Sequence, residues 1–483
     1  MHEYIGFGVC RIERSKMAFS SAIFLFVFLP ITLLLYCVSQ KEYRNAVLLA
    51  ASLIFYACGE PGIVFLMMAS IVVNYYFALG VEKFSHRKLF LAASIVYNLG
   101  ILFVFKYLGF SMYTFNLLFG KTLPVVEIAL PIGISFYTFQ TMSYVIDVYN
   151  EKAKAERNIL NLGLYISLFP QLVAGPIVRY SYIEGQIRDR NLSPELFSAG
   201  AKRFMCGLCK KIILANNLAN VAEYYFGNSS ADNSVVGAWL GSIGFSLQIY
   251  YDFSGYSDMA IGLGKMLGFE FEENFNYPYI SKSVTEFWRR WHISLSRWFR
   301  DYVYIPLGGS RVSVPRHILN MAIVWILTGF WHGANYTFIV WGALYFTALV
   351  VEKYLIKPEK RKSRIFAGVY RIIVLAFINF CWVIFNAESV GEGMRYCQAM
   401  TGFRQGNPLI DLETVRMLRE YGSFLLVGIL FSAPIAPRIS GKVTEKLPFV
   451  GKYVLPLVHA WGFLWAVSYL VLGAHNPFVY FNF

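Results

Sequence analysis

Long apolar runs recur along the whole chain and are separated by short polar segments. Each run is close to the roughly 20 residues that a helix needs to cross about 30 Å of hydrocarbon. The clearest runs cover residues 21–38, 62–79, 89–104, 125–145, 335–351, 365–385, 424–433 and 453–472. The pattern predicts an all-α polytopic membrane protein with about 10–12 transmembrane helices.

The middle of the chain departs from this pattern. Between residues 160 and 268, Pro170, Pro176 and many glycines interrupt the apolar runs. Broken segments persist at membrane depth only where they are buried in protein or line a cavity. We therefore expect re-entrant elements in this region, inside one continuous membrane domain.

Composition agrees with a membrane protein, and the distribution of charge indicates how the chain is oriented in the bilayer. Hydrophobic residues make up 57% of the 483 residues and charged residues only 15%, against about 25% in soluble domains. The net charge of +14 comes from lysines and arginines in short loops rather than from one basic domain. This distribution indicates positive-inside topology in a lipid bilayer and argues against nucleic-acid binding. The expected cytoplasmic segments are residues 81–88, 151–158, 179–211, 282–316 and 357–364.

The N-terminal residues conflict with that orientation. Counting back two spans from the basic loop at residues 81–88 puts the start of the chain outside, yet Arg11, Arg14 and Lys16 precede the first span. We expect residues 1–16 to be an upstream extension, with translation starting at Met17 and residues 17–483 forming a single membrane domain.

One charged and aromatic segment, residues 284–304, has helical periodicity but too many arginines to span a membrane. We expect it to form a single helix along the cytoplasmic interface, with its aromatic face inward. The residues predicted on that face are Val284, Phe287, Trp288, Trp291, His292, Leu295, Trp298, Phe299 and Tyr302. His292 therefore points into protein or membrane rather than water.

A second histidine, His332, lies inside an apolar region. From Ile318 to Trp331 a helix would cover only about 21 Å, which is short of a full crossing. Gly329 and Gly333 flank the Phe-Trp-His trio, so we expect the helix to break there and leave His332 at membrane depth. A titratable side chain in that place is a functional-site hypothesis by default. The alternative is a histidine that is hydrogen-bonded to a backbone carbonyl and fills space between helices.

The chemistry that these histidines indicate is general-base catalysis. An imidazole can stay neutral and still exchange a proton near pH 7. No Cys, Asp or Glu is spaced beside either histidine to form a hydrolase-like triad, and no metal-binding spacing is present, so we predict no metal site. His332 is then a candidate base that activates an incoming hydroxyl. For His292, a role in function and a place in a belt of tryptophans stay equally open.

Two carboxylates, Asp252 and Asp258, lie in an aromatic context. They could bind a cation or steady the cytoplasmic arginines. The alternative is a pair of buried ion pairs that fix helix packing. The spacing of Cys206 and Cys209 is interpreted as ordinary helix packing.

The segments around the two histidines resemble a known family. Residues 273–309 (ENFNYPYISKSVTEFWRRWHISLSRWFRDYVYIPLGG) and residues 327–342 (LTGFWHGANYTFIVWG) strongly resemble the membrane-bound O-acyltransferase (MBOAT) superfamily, of the bacterial alginate O-acetyltransferase type. The resemblance extends to residues 17–30, 130–149, 169–180 and 476–483, and so to nearly all of the chain from Met17 onward.

The resemblance implies a fold and a site. The MBOAT fold is a ring of tilted helices around a thin centre, with a central tunnel that has a cytoplasmic entrance and an outward funnel. It implies that His332 is the signature catalytic residue and His292 the second catalytic position. The further residues expected to shape the tunnel or bind the donor are Trp288, Arg289, Arg290, Trp291, Trp331, Asn335, Asn276 and Asp252.

The resemblance also implies a reaction. It is transfer of an acyl group, expected to be acetyl, from a cytoplasmic thioester such as acetyl-CoA, with no bound cofactor. The final acceptor is expected to be an extracytoplasmic polysaccharide, reached through an exported SGNH-like acetyltransferase, in a bacterial cytoplasmic (inner) membrane. Two alternatives stay open: D-alanyl transfer to teichoic acid from a carrier protein, and a transporter with a midplane histidine. A transporter is disfavoured because no internal repeat is visible in the sequence.

Overall fold

A computed structural model describes residues 17–126, 128–227, 233–361, 363–402, 407–473 and 476–477. The predicted upstream extension, residues 1–16, lies outside the described residues. The described chain is helical and contains no β-strand. Its α-helices are α1 Leu29–Val38, α2 Arg44–Gly59, α3 Val64–Lys83, α4 Arg87–Leu102, α5 Leu108–Phe119, α6 Ile134–Tyr149, α7 Ile159–Ser167, α8 Phe169–Leu172, α9 Tyr180–Arg188, α10 Pro194–Cys209, α11 Asn216–Gly227, α12 Val235–Met266, α13 Val284–Arg290, α14 Ile293–Phe299, α15 Val314–His332, α16 Tyr336–Val351, α17 Arg364–Asn386, α18 Val390–Thr401, α19 Leu412–Phe431, α20 Ile435–Lys446 and α21 Leu455–Val471.

Several helix starts follow from the sequence. A short polar side chain just before a helix can accept a hydrogen bond from a free N–H of the first turn. This cap is made by Asn158, Ser193, Ser234, Ser283, Asn335, Ser363, Ser389 and Asp411. Local side-chain chemistry therefore sets these eight helix starts.

Many helices are long and apolar enough to cross a membrane. Within the described ranges there are five such segments, and a bent pair, α19 with α20, makes up to six. The five are Val64–Lys83, Arg87–Phe119, Tyr336–Lys360, Arg364–Asn386 and Val450–Val471. The protein is an all-α polytopic membrane protein, as predicted. The count of about 10–12 crossings includes shorter and more polar helices and stays a prediction.

One predicted span is wrong over its first half. The apolar run at residues 125–145 was expected to be one helix, but α6 begins only at Ile134. Pro131 precedes the helix start, and Gly133 has a φ of 72°, a left-handed conformation that glycine adopts without steric cost. Hydrophobicity alone could not distinguish an apolar loop from a helix here.

The long helix α12 is the central element of the fold and is almost entirely buried. It packs closely on α10, where two pairs of glycines face each other. A Cβ atom on Gly207 would lie 2.5 Å from the carbonyl oxygen of Gly255, and one on Gly200 would lie 2.5 Å from that of Gly262. Small residues of this kind let the backbones of membrane helices approach each other.

The buried apolar side chains form two clusters, and the two histidines lie where the clusters meet. Trp331 belongs to the first cluster, which is built mainly from the N-terminal half of the chain. Trp341 belongs to the second, which is built mainly from α11, α12 and the helices after α13. The ring of His332 contacts both indoles, with centroid distances of 5.0 Å in each case.

Candidate active site

The segment that carries His292 consists of two short helices. α13 and α14 are separated at His292, whose φ of 44° and ψ of 55° are left-handed. The predicted single interfacial helix is therefore wrong. Neighbouring backbone stabilises the break, because the N–H of Asn276 donates to the carbonyl of Arg290 at 2.9 Å and the N–H of Ile293 donates to that of Asn274 at 3.0 Å.

The predicted inward face is confirmed despite the break. The buried members of that face are Val284, Phe287, Trp288, Trp291, His292, Leu295, Trp298 and Phe299. Tyr302 is half-buried. A left-handed conformation is uncommon for a residue other than glycine and persists only where the surroundings enforce it, often at functional sites.

Asn274 holds the imidazole of His292. Its Oδ1 lies 3.2 Å from Nδ1 of His292 and accepts hydrogen bonds from the N–H and the hydroxyl of Ser294 at 3.2 and 2.9 Å. Its Nδ2 donates to the hydroxyl of Ser257 at 3.1 Å. Both ends of the Asn274 amide are thus engaged, and the position of the imidazole is fixed from one side.

His332 is the last residue of α15. The helix runs from Val314 to His332 and ends at Gly333, as the sequence predicted. The other flanking glycine, Gly329, does not break the helix, which corrects the expectation. It is a packing residue, because a Cβ atom there would lie 2.5 Å from the carbonyl oxygen of Phe338 on α16.

The structure brings His332 and His292 to the same aromatic ring. The centroid of Trp331 lies 5.0 Å from that of His332 and 5.7 Å from that of His292. Phe385 closes a further side of His332, at 5.3 Å between ring centroids. Both histidines are buried.

The nitrogens of the two rings differ in their partners. Within the described part of the chain, neither Nδ1 nor Nε2 of His332 has a hydrogen-bond partner, and neither does Nε2 of His292. Buried polar atoms almost always have a partner. Three such atoms in one enclosed place are therefore suited to bind a ligand and to exchange protons with it.

A cavity of about 840 Å³ borders α15 on the side of the predicted cytoplasmic segments 282–316 and 357–364. The exposed charged side chains of its lining form its mouth, and they are those of Lys282, Arg289, Arg300, Lys353 and Arg361 with one carboxylate, Glu359. Its inner end is lined by Trp288, Trp325 and Thr328. Thr328 lies one helical turn before His332 on α15, and Trp341 contacts both Trp288 and His332. An aromatic wall therefore separates the cavity from His332.

Buried or half-buried carboxylates at the mouth of the cavity anchor α13. Glu352 accepts hydrogen bonds from the N–H groups of Val284 and Thr285 at 2.7 and 2.9 Å. Burial raises the pKa of Glu286, but the N–H of Lys282 and the guanidinium of Arg290 outweigh it, so the pKa lies below its ordinary value. Glu286 therefore stays ionised at neutral pH and holds Arg290.

The tryptophans and arginines predicted for the tunnel have different positions. Trp288 and Arg289 line the cavity, and Trp331 contacts both histidines. Trp291 is buried, with its ring 4.9 Å from that of Trp382. Arg290 does not line the cavity; it bonds Glu286 and the carbonyl of Asn276.

The remaining predicted site residues have structural partners. The exposed Asn276 takes part in the chain break through its backbone. The side chain of Asn335 caps α16 at the N–H of Thr337 and donates to the carbonyl of Glu388. Asp252 forms a buried ion pair with Lys211 at 2.6 Å. Of the alternatives considered for Asp252, the geometry favours the packing ion pair.

Asp258, the second carboxylate noted in the sequence, also forms ion pairs. It contacts Arg203 at 2.8 Å and Lys210 at 2.6 Å. The described residues contain no cluster of three or more His, Cys, Asp or Glu side chains that could hold a metal ion.

Two residues of the site were missed by sequence reasoning. Asn274, rather than Asn276, faces His292, and nothing in the sequence distinguishes the two asparagines. Lys106 donates to the carbonyls of Trp331 and His332 at 2.5 and 3.3 Å. A signal for Lys106 did exist, because it is a single charge in the apolar stretch LFVFKYLGF.

Comparisons of the sequence with known proteins identify a family. The family model described as membrane-bound O-acyltransferase family (MBOAT) matches residues 138–390, which include both histidines. A probable alginate O-acetylase of Azotobacter vinelandii is 38% identical, covering 97% of this chain and 100% of the relative. A peptidoglycan O-acetyltransferase of Helicobacter pylori is 34% identical, covering 80% of each.

A more distant similarity covers about half of the chain. A teichoic acid D-alanyltransferase of Bacillus subtilis is 29% identical, covering 53% of this chain and 69% of the relative. The family match, the near-complete coverage of the alginate-type relative and the helical membrane fold agree with one another. The chain belongs to the membrane-bound O-acyltransferase family and is an O-acyltransferase.

Proposed function

We propose that this chain transfers an acyl group from a cytoplasmic thioester donor for O-acetylation of an extracytoplasmic polysaccharide. Acetyl ranks first among the candidate acyl groups. One observation carries the proposal: His332 is buried, its ring nitrogens have no hydrogen-bond partner in the described residues, and it lies one helical turn beyond the inner end of the basic cavity. His332 is thereby a proton acceptor close to where the inner end of a donor bound from the cytoplasm would lie.

The donor is acetyl-CoA or another acyl thioester, and it acts as a substrate rather than a bound cofactor. The basic residues at the cavity mouth match the phosphates of such a donor, since arginine and lysine form charge-assisted hydrogen bonds with phosphate oxygens. The apolar inner end, with Trp288 and Trp325, suits the uncharged acyl chain and its thioester.

The reaction is a general-base acyl transfer. A nitrogen of His332 accepts the proton of the acceptor hydroxyl while the hydroxyl oxygen attacks the thioester carbonyl. The carbon–sulfur bond then breaks, and the thiolate leaves with the proton that His332 returns. His292 orients the acceptor or shuttles a proton, and Trp288, Trp291, Trp331 and Asn335 shape the path.

The acceptor is reached from outside the membrane. The relatives' names refer to alginate and to peptidoglycan, both of which are polysaccharides. We propose that an exported SGNH-like acetyltransferase takes the group from this chain and places it on the polymer. The basic loops orient the chain in a bacterial cytoplasmic membrane, with the cavity mouth inside.

D-alanyl transfer to teichoic acid is the second candidate function. The observation in its favour is that Arg289, Arg300 and Arg361 are all exposed at the cavity mouth, where an acidic carrier protein could dock. The similarity to the D-alanyltransferase covers only about half of the chain, so acetylation ranks first.

Deletion of the gene, followed by mass analysis of surface glycans, separates these functions. Loss of acetyl esters from a polysaccharide supports the proposal. Loss of D-alanyl esters supports the second candidate. A change in ion or substrate flux with all esters intact contradicts both and favours transport.

A further inference from the structure

The C-terminal end of α15, at Trp331 and His332, is buried. The last four carbonyls of an α-helix have no partner within the helix, and without water such groups are costly to leave unpaired. Here the hydroxyl of Tyr107 donates to the carbonyl of Phe330 at 2.6 Å. Nζ of Lys106 donates to the carbonyls of Trp331 and His332 at 2.5 and 3.3 Å. Two adjacent side chains thus pair the three final carbonyls of the helix.

Lys106 lies within the apolar helical segment Arg87–Phe119. A charged side chain within an apolar helical segment is costly, and such residues usually have a function. Its third contact is the hydroxyl of Ser135 at 3.5 Å. The favourable interactions of Lys106 are therefore concentrated on the end of α15.

The backbone that presents Lys106 and Tyr107 departs from a regular α-helix. Both residues lie in a single π-helical turn, Phe103–Tyr107, between α4 and α5. The turn brings both side chains to the end of α15, where they make their hydrogen bonds. The ring of Tyr107 also packs against that of Phe330, at 6.2 Å between centroids.

We propose that Lys106 and Tyr107 are positioning residues for His332. They hold the last turn of α15 so that the imidazole keeps its place between Trp331, Trp341 and Phe385. Neither side chain takes part in the chemistry itself. This inference rests on the proposed function, because it assigns to His332 the role of base.

The test compares variants of the full chain in bacterial membranes, with acetyl-CoA as the donor probe. Initial rates of acetyl transfer are measured at saturating and at limiting concentrations of acetyl-CoA, and each rate is divided by the amount of folded chain. For Lys106→Met we expect kcat to fall roughly ten- to a hundredfold with an unchanged KM for acetyl-CoA, because small displacements of a catalytic group are costly. Tyr107→Phe should show the same pattern with a smaller loss. Lys106→Arg, which keeps donors for the two carbonyls, should recover most of the rate.

The matched control is Asn98→Leu. Asn98 lies on α4 and is a buried member of a hydrogen-bond network with Asn74 and Thr141. Its loss should lower thermal stability without changing kcat per folded chain. A wild-type kcat for Lys106→Met, a loss no greater than that of Asn98→Leu, or no recovery with Lys106→Arg would each overturn the inference.

A parallel assay of His332→Ala distinguishes failure of the proposed function from failure of the positioning role. If His332→Ala keeps wild-type activity, the proposed function fails, whatever Lys106→Met does. If His332→Ala is inactive and Lys106→Met has wild-type activity, only the positioning role fails.

Discussion

The Nδ1 atom of His292 lies 3.2 Å from Oδ1 of Asn274. That oxygen also accepts the main-chain N–H of Ser294, which identifies it as the amide oxygen rather than the nitrogen. A neutral imidazole that meets an acceptor at Nδ1 carries its proton there. Its Nε2 then has a free lone pair, and this atom has no partner within the described ranges. The geometry therefore selects one tautomer of His292.

Asn274→Ala should reduce acyl transfer by about tenfold, because His292 loses the contact that fixes its tautomer and orientation. The measurement is kcat for acetyl transfer per folded chain. Ser294→Ala is the matched control, since its hydroxyl bonds the same oxygen at 2.9 Å without touching the imidazole. Equal losses in the two variants would mean that Asn274 only maintains the fold.

His292→Asn should fold normally and transfer acyl groups roughly a hundredfold more slowly. Asparagine tolerates the left-handed backbone at this position, so the loss would report on the imidazole rather than on chain strain. General acid–base groups contribute about 10²–10⁴-fold. Thermal unfolding in detergent checks the fold, and wild-type turnover in a folded His292→Asn protein would exclude a catalytic role.

Arg289→Glu should raise the KM for acetyl-CoA about tenfold, because a charge-assisted contact with phosphate would be lost. The kcat at saturating donor should change less than the KM, since Arg289 lies at the cavity mouth and not beside His332. Arg416→Glu, on α19 and outside the cavity lining, is the control for overall charge. A KM that rises equally in both variants would argue against a donor site at this mouth.

Gly329→Ala should destabilise the protein by about 1–3 kcal/mol, because the added methyl group overlaps the carbonyl of Phe338. The measurement is thermal unfolding in detergent. Gly368→Ala, on α17, is the matched control, because a Cβ atom there meets nothing within 4 Å. If both variants unfold at the wild-type temperature, the close contact between α15 and α16 is not rigid.

The membrane class and the position of His332 were predictable from the sequence because both depend on local pattern. Apolar length predicts spans, and Gly333 after an apolar helix predicts its end. The break at His292 was not predictable. Its helical periodicity is intact, and the residues that stabilise the break, Asn274 and Asn276, act through backbone bonds from outside the segment.

Pairings between distant segments were equally hidden. Lys106 and His332 are brought together by tertiary packing, and nothing in the spacing of the two residues indicates it. The sequence suggested that Asp252 could form a buried ion pair, but it did not identify Lys211 as the partner. Sequence therefore predicted the candidate base, whereas its supporting residues required the structure.

His332 is the proposed base of the acyl transfer, and the His332→Ala variant tests this role. The variant and the wild-type chain are each expressed in a strain that lacks the gene, and acyl esters on surface polysaccharide are measured by mass analysis alongside the amount of chain in the membrane. We expect normal membrane insertion of the variant with no acyl esters on the polysaccharide. Wild-type ester levels in the His332→Ala strain would contradict it.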